Sequence, residues 1–372
     1  MGLDRIRVGI VGLGNCASAL IQGSYFYSKG PIQEGLVRPL IGPYGPEQLD
    51  FVVGFDVDDR KIGKCIKDAI FELPNCCRIF CEEVRQGPIS RFGGPVLLAP
   101  VLDGVSNHMR TSDAFDSERF CVTATENHLY SDLEVELFAN TLKQFEVDIL
   151  VNYLPVGSQI ATEFWAEVCL MAHVNMVNCI PVFLASNPVW SQRFKHSELS
   201  IIGDDMKSQF GASVLSQMLQ ELAASRGHKV KVHVQQNSGG NTDFLNMINQ
   251  DRLKSKKISK ENVLRHHGNE PDFLHAGPSD YIRVFKDTKV AHFHLELEGF
   301  GGSPVVLDAR LEVHDSPNSA GVVIDAIRYC MVAQQKGLYG AVEGPSAFTQ
   351  KSPPVQMPLQ QAIQECNALA GI

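Results

Sequence analysis

Two different periods of apolar residues run along the chain and divide it. Ile6 to Val11 is almost continuously apolar, and shorter runs of this kind recur at Phe51–Phe55, Arg119–Val122, Asp148–Val151, Asn175–Val177 and Leu199–Ile202. Such runs predict strands covered on both faces. Helical patterns lie between several of them, from Ala17 onward, over Asp132–Phe145 and over Thr162–Ala172. Strands alternating with helices predict an α/β fold with a doubly wound parallel sheet. Gly30 to Glu47, rich in Gly and Pro, reads as a long loop. After Gly203 the period falls to two. Val230, Val232 and Val234 alternate with polar neighbours, as do Lys289–Glu298 and Leu307–Val313. That pattern predicts a mainly antiparallel sheet, wet on one face, inside an α+β domain. A helix over Ser319–Lys336, with Ser319 as its cap, is apolar enough to return to the first domain. The expected division is 1–203, 204–316 and 317–372.

Composition narrows the classes. A chain of 372 residues suits two domains, and a net charge of -9 argues against a nucleic-acid binder. An anionic substrate stays compatible with it, because a local basic pocket can sit in an acidic protein. Ten cysteines without zinc-type spacing fit reduced, buried thiols; Cys76, Cys77 and Cys81 have no second cluster to complete a metal module. Met1–Arg7 lacks the features of a signal peptide, and no apolar run reaches the length of a membrane span. The expectation is a cytoplasmic protein with no membrane partner.

Candidate chemistry begins at Gly12-Leu13-Gly14-Asn15-Cys16-Ala17, which follows the first strand and opens the first helix. It fits the dinucleotide fingerprint of a Rossmann domain. Gly12 permits the tight turn, Gly14 lets the backbone approach a pyrophosphate, and Ala17 allows close helix packing. Asn15 and Cys16 complete the turn. Asp56, ending the second strand after the Gly/Pro-rich insertion, is the expected ribose carboxylate, which favours NAD over NADP. In the second half, Gly203-Asp204-Asp205-Met206-Lys207-Ser208-Gln209 reads as a strand end opening a helix, a place suited to phosphate. Lys256 and Lys260, four apart in the run RLKSKKISK, would share a helix face, where a bound anion offsets their repulsion. Asn237 to Asp243 reads as a polar turn suited to close backbone approach.

These segments, with NYLPVGS, PVFLASNPVW, GGNTDFLN, GPSDY, LEVHDSPNSAGV and KSPP, resemble the inositol-phosphate synthase family in its bacterial, actinobacterial-like branch, over essentially the whole chain. The resemblance implies a Rossmann domain interrupted by a catalytic and oligomerisation domain, assembled as a homotetramer. It implies NAD-dependent oxidation of glucose 6-phosphate at C5, removal of a C6 proton, attack of C6 on the C1 aldehyde, and re-reduction at C5. By motif, the family's essential lysines fall on Lys256, Lys260, Lys289 and Lys336. Asp205 matches the catalytic aspartate, and Ser208 with Gln209 the phosphate site. Asn241 and Asp243 match a loop against substrate and nicotinamide, and Asp315 an aspartate that orients lysines. Some members use a divalent or monovalent cation, for which the sequence assigns no ligands. The competing class is an ordinary NAD-dependent dehydrogenase with an inserted α+β domain.

Overall fold

The computed structural model describes residues 5–30, 34–111, 120–124, 129–247, 258–259, 261, 264 and 270–372. Six short strands, β1 (Ile6–Val11), β2 (Leu49–Asp56), β3 (Val96–Leu98), β4 (Ile149–Asn152), β5 (Asn175–Asn178) and β6 (Ser200–Ile202), form a parallel sheet in the order β3-β2-β1-β4-β5-β6. All eight residues of β2 are buried, as expected of a strand with helices on both faces. The strand order reverses between β1 and β4, which opens a crevice at the carboxyl ends of these strands.

Four longer strands follow: β7 (Lys229–Gly239), β8 (Phe273–Tyr281), β9 (Thr288–Glu298) and β10 (Pro304–His314). They form a second sheet in the order β10-β9-β7-β8. β10 with β9 and β9 with β7 are antiparallel, but β7 with β8 is parallel, so the sheet is mixed. The long connection after Gly239 supplies the crossover that a parallel pair needs. Helix Ala212–Ser225 covers one face, with Leu215 and Leu219 in one apolar cluster with Phe293 and Leu295. A last short strand, β11 (Gly340–Ala341), extends the first sheet beside β6.

Helix Pro317–Gln335 carries the chain from the second sheet back to the first, where Val323, Ile324 and Ile327 are fully buried in the main core. Its cap is Ser316 rather than Ser319. Pro317 suits the first helical position because it has no N–H to leave unpaired, and Ser319 bonds back to the Ser316 carbonyl. Within it, Arg328 and Asp325 form a fully buried ion pair, and Arg328 also donates to the carbonyls of Arg38, Pro39 and Tyr44. These bonds fasten the Gly/Pro-rich loop onto the helix.

Two further sequence expectations fail locally. Phe120–Ala124 contains no strand; Phe120 and Val122 pack beside Val101 and Met109 as irregular chain, and the edge of the sheet is β3 instead. Gly203–Gln209 does not open a helix, which starts only at Ala212. Residues 204–207 pair instead with 349–352, through Asp204 N to Ser352 O (3.0 Å), Lys207 N to Thr349 O (2.8 Å) and Lys351 N to Asp205 O (2.7 Å). Backbone groups already satisfied by a distant segment are not available to a helix.

Candidate active site

The carboxyl ends of β1, β4, β5 and β6 face the second sheet across a cavity of about 1280 Å³, counting the part open to solvent. The glycine turn forms one wall. Gly12 has φ +84°, and a β-carbon there would meet the Tyr153 carbonyl at 2.7 Å. Gly14 is different: a β-carbon would meet nothing within 4 Å, and Gly14 caps helix Asn15–Tyr27 without any side-chain bond. An open space at an uncapped helix N-terminus fits a dinucleotide pyrophosphate. Asn15 accepts from the Cys76 and Cys77 amides at 2.7 and 3.0 Å, which holds that segment against the turn. Cys16 lines the cavity, and fully buried Ala17 packs beneath it.

Asp56 ends β2 as expected, and its carboxylate already accepts bonds from the protein's own backbone. It is buried, its Oδ2 accepts from Leu13 N at 2.7 Å, and its Oδ1 from the amides of Val57 and Asp58. Buried Lys61 lies 3.5 Å from the same carboxylate and donates to the Leu13 carbonyl at 2.9 Å. Asp56 therefore braces the glycine turn. Arg60 is folded back on Asp58 at 2.6 Å.

The opposite wall comes from the second sheet. Register places Lys289 across from Gly239 on one side and Val313 on the other, so its side chain reaches Asp315, to which its ammonium is bonded. Asn241 caps the short helix Thr242–Asn246 through its Oδ1, and its Nδ2 points to Asp287 (3.2 Å) and Asp315 (3.4 Å). Asp287 also accepts from the Ser316 hydroxyl at 2.7 Å. Burial, and then the charge of Asp315, push the Asp287 carboxyl up to about 7. Burial and the carboxylates of Asp315, Asp287 and Asp243 push the Cys16 thiol up to about 12, so it is a neutral wall of the cavity. Asp243 lines the same space.

The third wall is the 204–208 segment. Asp205, 1% exposed and with φ +62°, accepts from the Ser259 hydroxyl at 2.6 Å and from the Lys351 ammonium at 2.8 Å. Ser208 lines the cavity; Gln209 is half-buried beside Asn318, to whose carbonyl its amide donates. Tyr153 also lines the cavity, with its hydroxyl buried and, among the described residues, unbonded.

The cavity thus brings together Gly14, Asn15, Cys16, Asp205, Ser208, Asn241, Asp243, Lys289 and Asp315 from the sequence reading. Lys336 is not with them. It is exposed at the far end of helix Pro317–Gln335, where its ammonium donates to the Leu369 carbonyl at 2.6 Å. The ammonium beside Asp205 belongs to Lys351, from the KSPP run, which sequence reasoning quoted without assigning a role. Asp287 was also missed. Lys256 and Lys260 lie outside the described residues. Among the described residues no group of three His, Cys, Asp or Glu is placed to hold a metal ion.

Residues 211–316 match the family described as myo-inositol-1-phosphate synthase. The inositol-3-phosphate synthase of Mycobacterium tuberculosis is 40% identical over 360 residues, covering 95% of this chain and 92% of its own. That of Corynebacterium glutamicum is 38% identical, covering 99% of each chain. The crystal structure of a myo-inositol-1-phosphate synthase-related protein from Thermotoga maritima superposes with a TM-score of 0.76 at 22% identity, over 99% of each chain, which speaks for the fold.

Proposed function

Because the chain belongs to the inositol-3-phosphate synthase family, we propose that it converts D-glucose 6-phosphate to 1D-myo-inositol 3-phosphate by NAD-dependent oxidation at C5, enolisation, aldol cyclisation and re-reduction. The observation that carries this reading is the facing of an open glycine cradle and two lysine–aspartate pairs, Lys289–Asp315 and Lys351–Asp205, across one cavity.

NAD would be held at the turn of Gly12, Gly14, Asn15, Cys16 and Ala17, with Asp56 acting through the turn. Its chemistry when bound is acceptance of a hydride that is later returned to the same carbon. The chain's residues handle protons and charge. Removing a proton from C6 next to a C5 ketone places negative charge on the C5 oxygen. Attack of C6 on the aldehyde places it on the C1 oxygen. Fixed ammonium groups aimed at such oxygens stabilise the oxyanions without reorganising. Lys289 and Lys351 are proposed for this role, oriented by Asp315 and Asp205. Lys256 and Lys260 are proposed to join them, with Lys260, Ser208 and Gln209 at the phosphate and Asn241 with Asp243 between substrate and nicotinamide. Lys336 has no part in this cluster. The proposal includes domains at 1–203, 204–316 and 317–372, a homotetrameric assembly and a cytoplasmic setting.

The test is an assay with glucose 6-phosphate and NAD. Inositol phosphate should accumulate with no sustained rise in free NADH. Stoichiometric NADH release with a keto-sugar product would assign the chain to the ordinary dehydrogenases instead.

A further inference from the structure

Lys207 lies in the same segment as Asp205 and Ser208 but does not line the cavity. It is 3% exposed, and its ammonium donates to the Ala347 carbonyl at 2.7 Å and to Gln217 Oε1 at 3.4 Å. Both acceptors are neutral. Placing a cation in such surroundings costs more than placing an apolar side chain of the same length. Burial accordingly pulls the Lys207 ammonium down to about 8; Glu221 opposes the shift, and the charge of Lys351 adds to it. A residue kept for packing alone would be Met or Leu.

The geometry shows what the bonds achieve. Lys207 grips helix Glu343–Thr349 twice, by its backbone at Thr349 and by its ammonium at Ala347. Two residues after Thr349 comes Lys351, whose amide donates to the Asp205 carbonyl and whose ammonium meets the Asp205 carboxylate. Through Gln217, Lys207 is also tied to helix Ala212–Ser225, which packs on the second sheet. Gln217 in turn donates to Glu221, at 2.8 Å.

We propose that Lys207 is a positioning residue for the cyclisation: it ties the Asp205 segment, the Lys351 segment and the helix beneath the second sheet into one rigid corner, and so sets where the Lys351 ammonium stands in the cavity. The inference rests on the assignment of Lys351 and Asp205 to the reaction.

The experiment compares full-length Lys207→Met, Lys207→Arg and Lys351→Met with the wild type. The readouts are kcat, KM for glucose 6-phosphate, NAD affinity by calorimetric titration, and thermal midpoint. Lys207→Met should lose at least about tenfold in kcat, as expected when a reacting group is misplaced, while NAD affinity stays within about threefold. Lys207→Arg should recover part of the loss by restoring a cationic donor. Wild-type kcat in folded Lys207→Met, with Lys351→Met inactive, overturns the inference and leaves the site intact. A lower thermal midpoint with unchanged kcat overturns it too, as a purely structural lysine. Wild-type turnover in Lys351→Met would instead break the site assignment itself. If Lys207→Met is insoluble, Lys207→Gln is scored in the same way, and insolubility of both also counts against the inference.

Discussion

Asp287 is buried beside Asp315 and accepts bonds from Ser316 and Asn241, yet its carboxyl is pushed up to about 7 because desolvation outweighs those bonds. Its folded value lies above the unfolded one near 3.8, so the folded state binds the extra proton. The stabilisation is fully present below about pH 4 and is lost as pH rises through about 7. Asp287→Asn should therefore gain stability relative to the wild type between pH 5 and 8, on the order of 1–3 kcal/mol in denaturant titrations. A difference independent of pH would contradict the assignment. The lysines offer a second contrast. Lys351→Ala should lose on the order of a hundredfold or more in turnover, like removal of an oxyanion donor. Lys336→Ala, which only frees an exposed helix end, should keep turnover and shift the thermal midpoint by no more than about 3 °C. The sequence assigns Lys336 by family motif, in the helix leading back to the first sheet. It had no means to see that Lys351 and Asp205, 146 residues apart, meet through a backbone ribbon.

At the scale of elements, the two glycines of the turn separate folding from cofactor binding. Gly12→Ala places a side chain at φ +84° and against the Tyr153 carbonyl, so it should destabilise the fold by about 1–3 kcal/mol. Gly14→Val adds a β-carbon that meets nothing within 4 Å, at a φ of -80° that suits any residue. It should leave the thermal midpoint nearly unchanged and weaken NAD binding by at least about tenfold, as calorimetry would show, by filling the cradle. Equal thermal losses in both variants would refute the distinction. The turn was legible because its glycines follow a buried strand. β8 was not, since Gly277 and Pro278 interrupt its alternation. The Ser319 hydroxyl favours a cap at that position, but Pro317 fixes the helix start two residues earlier.

For the whole molecule, the change of apolar period at Gly203 marked the change from one sheet to the other, and the alternating segments were recovered as β7, β9 and β10. How the sheets face each other was beyond the pattern, because it depends on the crossover to β8, the helix returning along the first sheet, and the ribbon joining 204–207 to 349–352. That facing puts the glycine cradle and the lysine–aspartate pairs in one cavity. Light scattering should give a particle of four chains if the proposed assembly holds, and a monomer mass would remove it. The central claim is that the hydride taken from C5 never leaves the active site. The direct measurement uses glucose 6-phosphate carrying deuterium at C5, with unlabelled NADH added in excess. The account predicts inositol phosphate that keeps its deuterium on the carbon derived from C5, with none in the free nicotinamide pool. Deuterium in that pool, and a product that has lost it, would contradict the account.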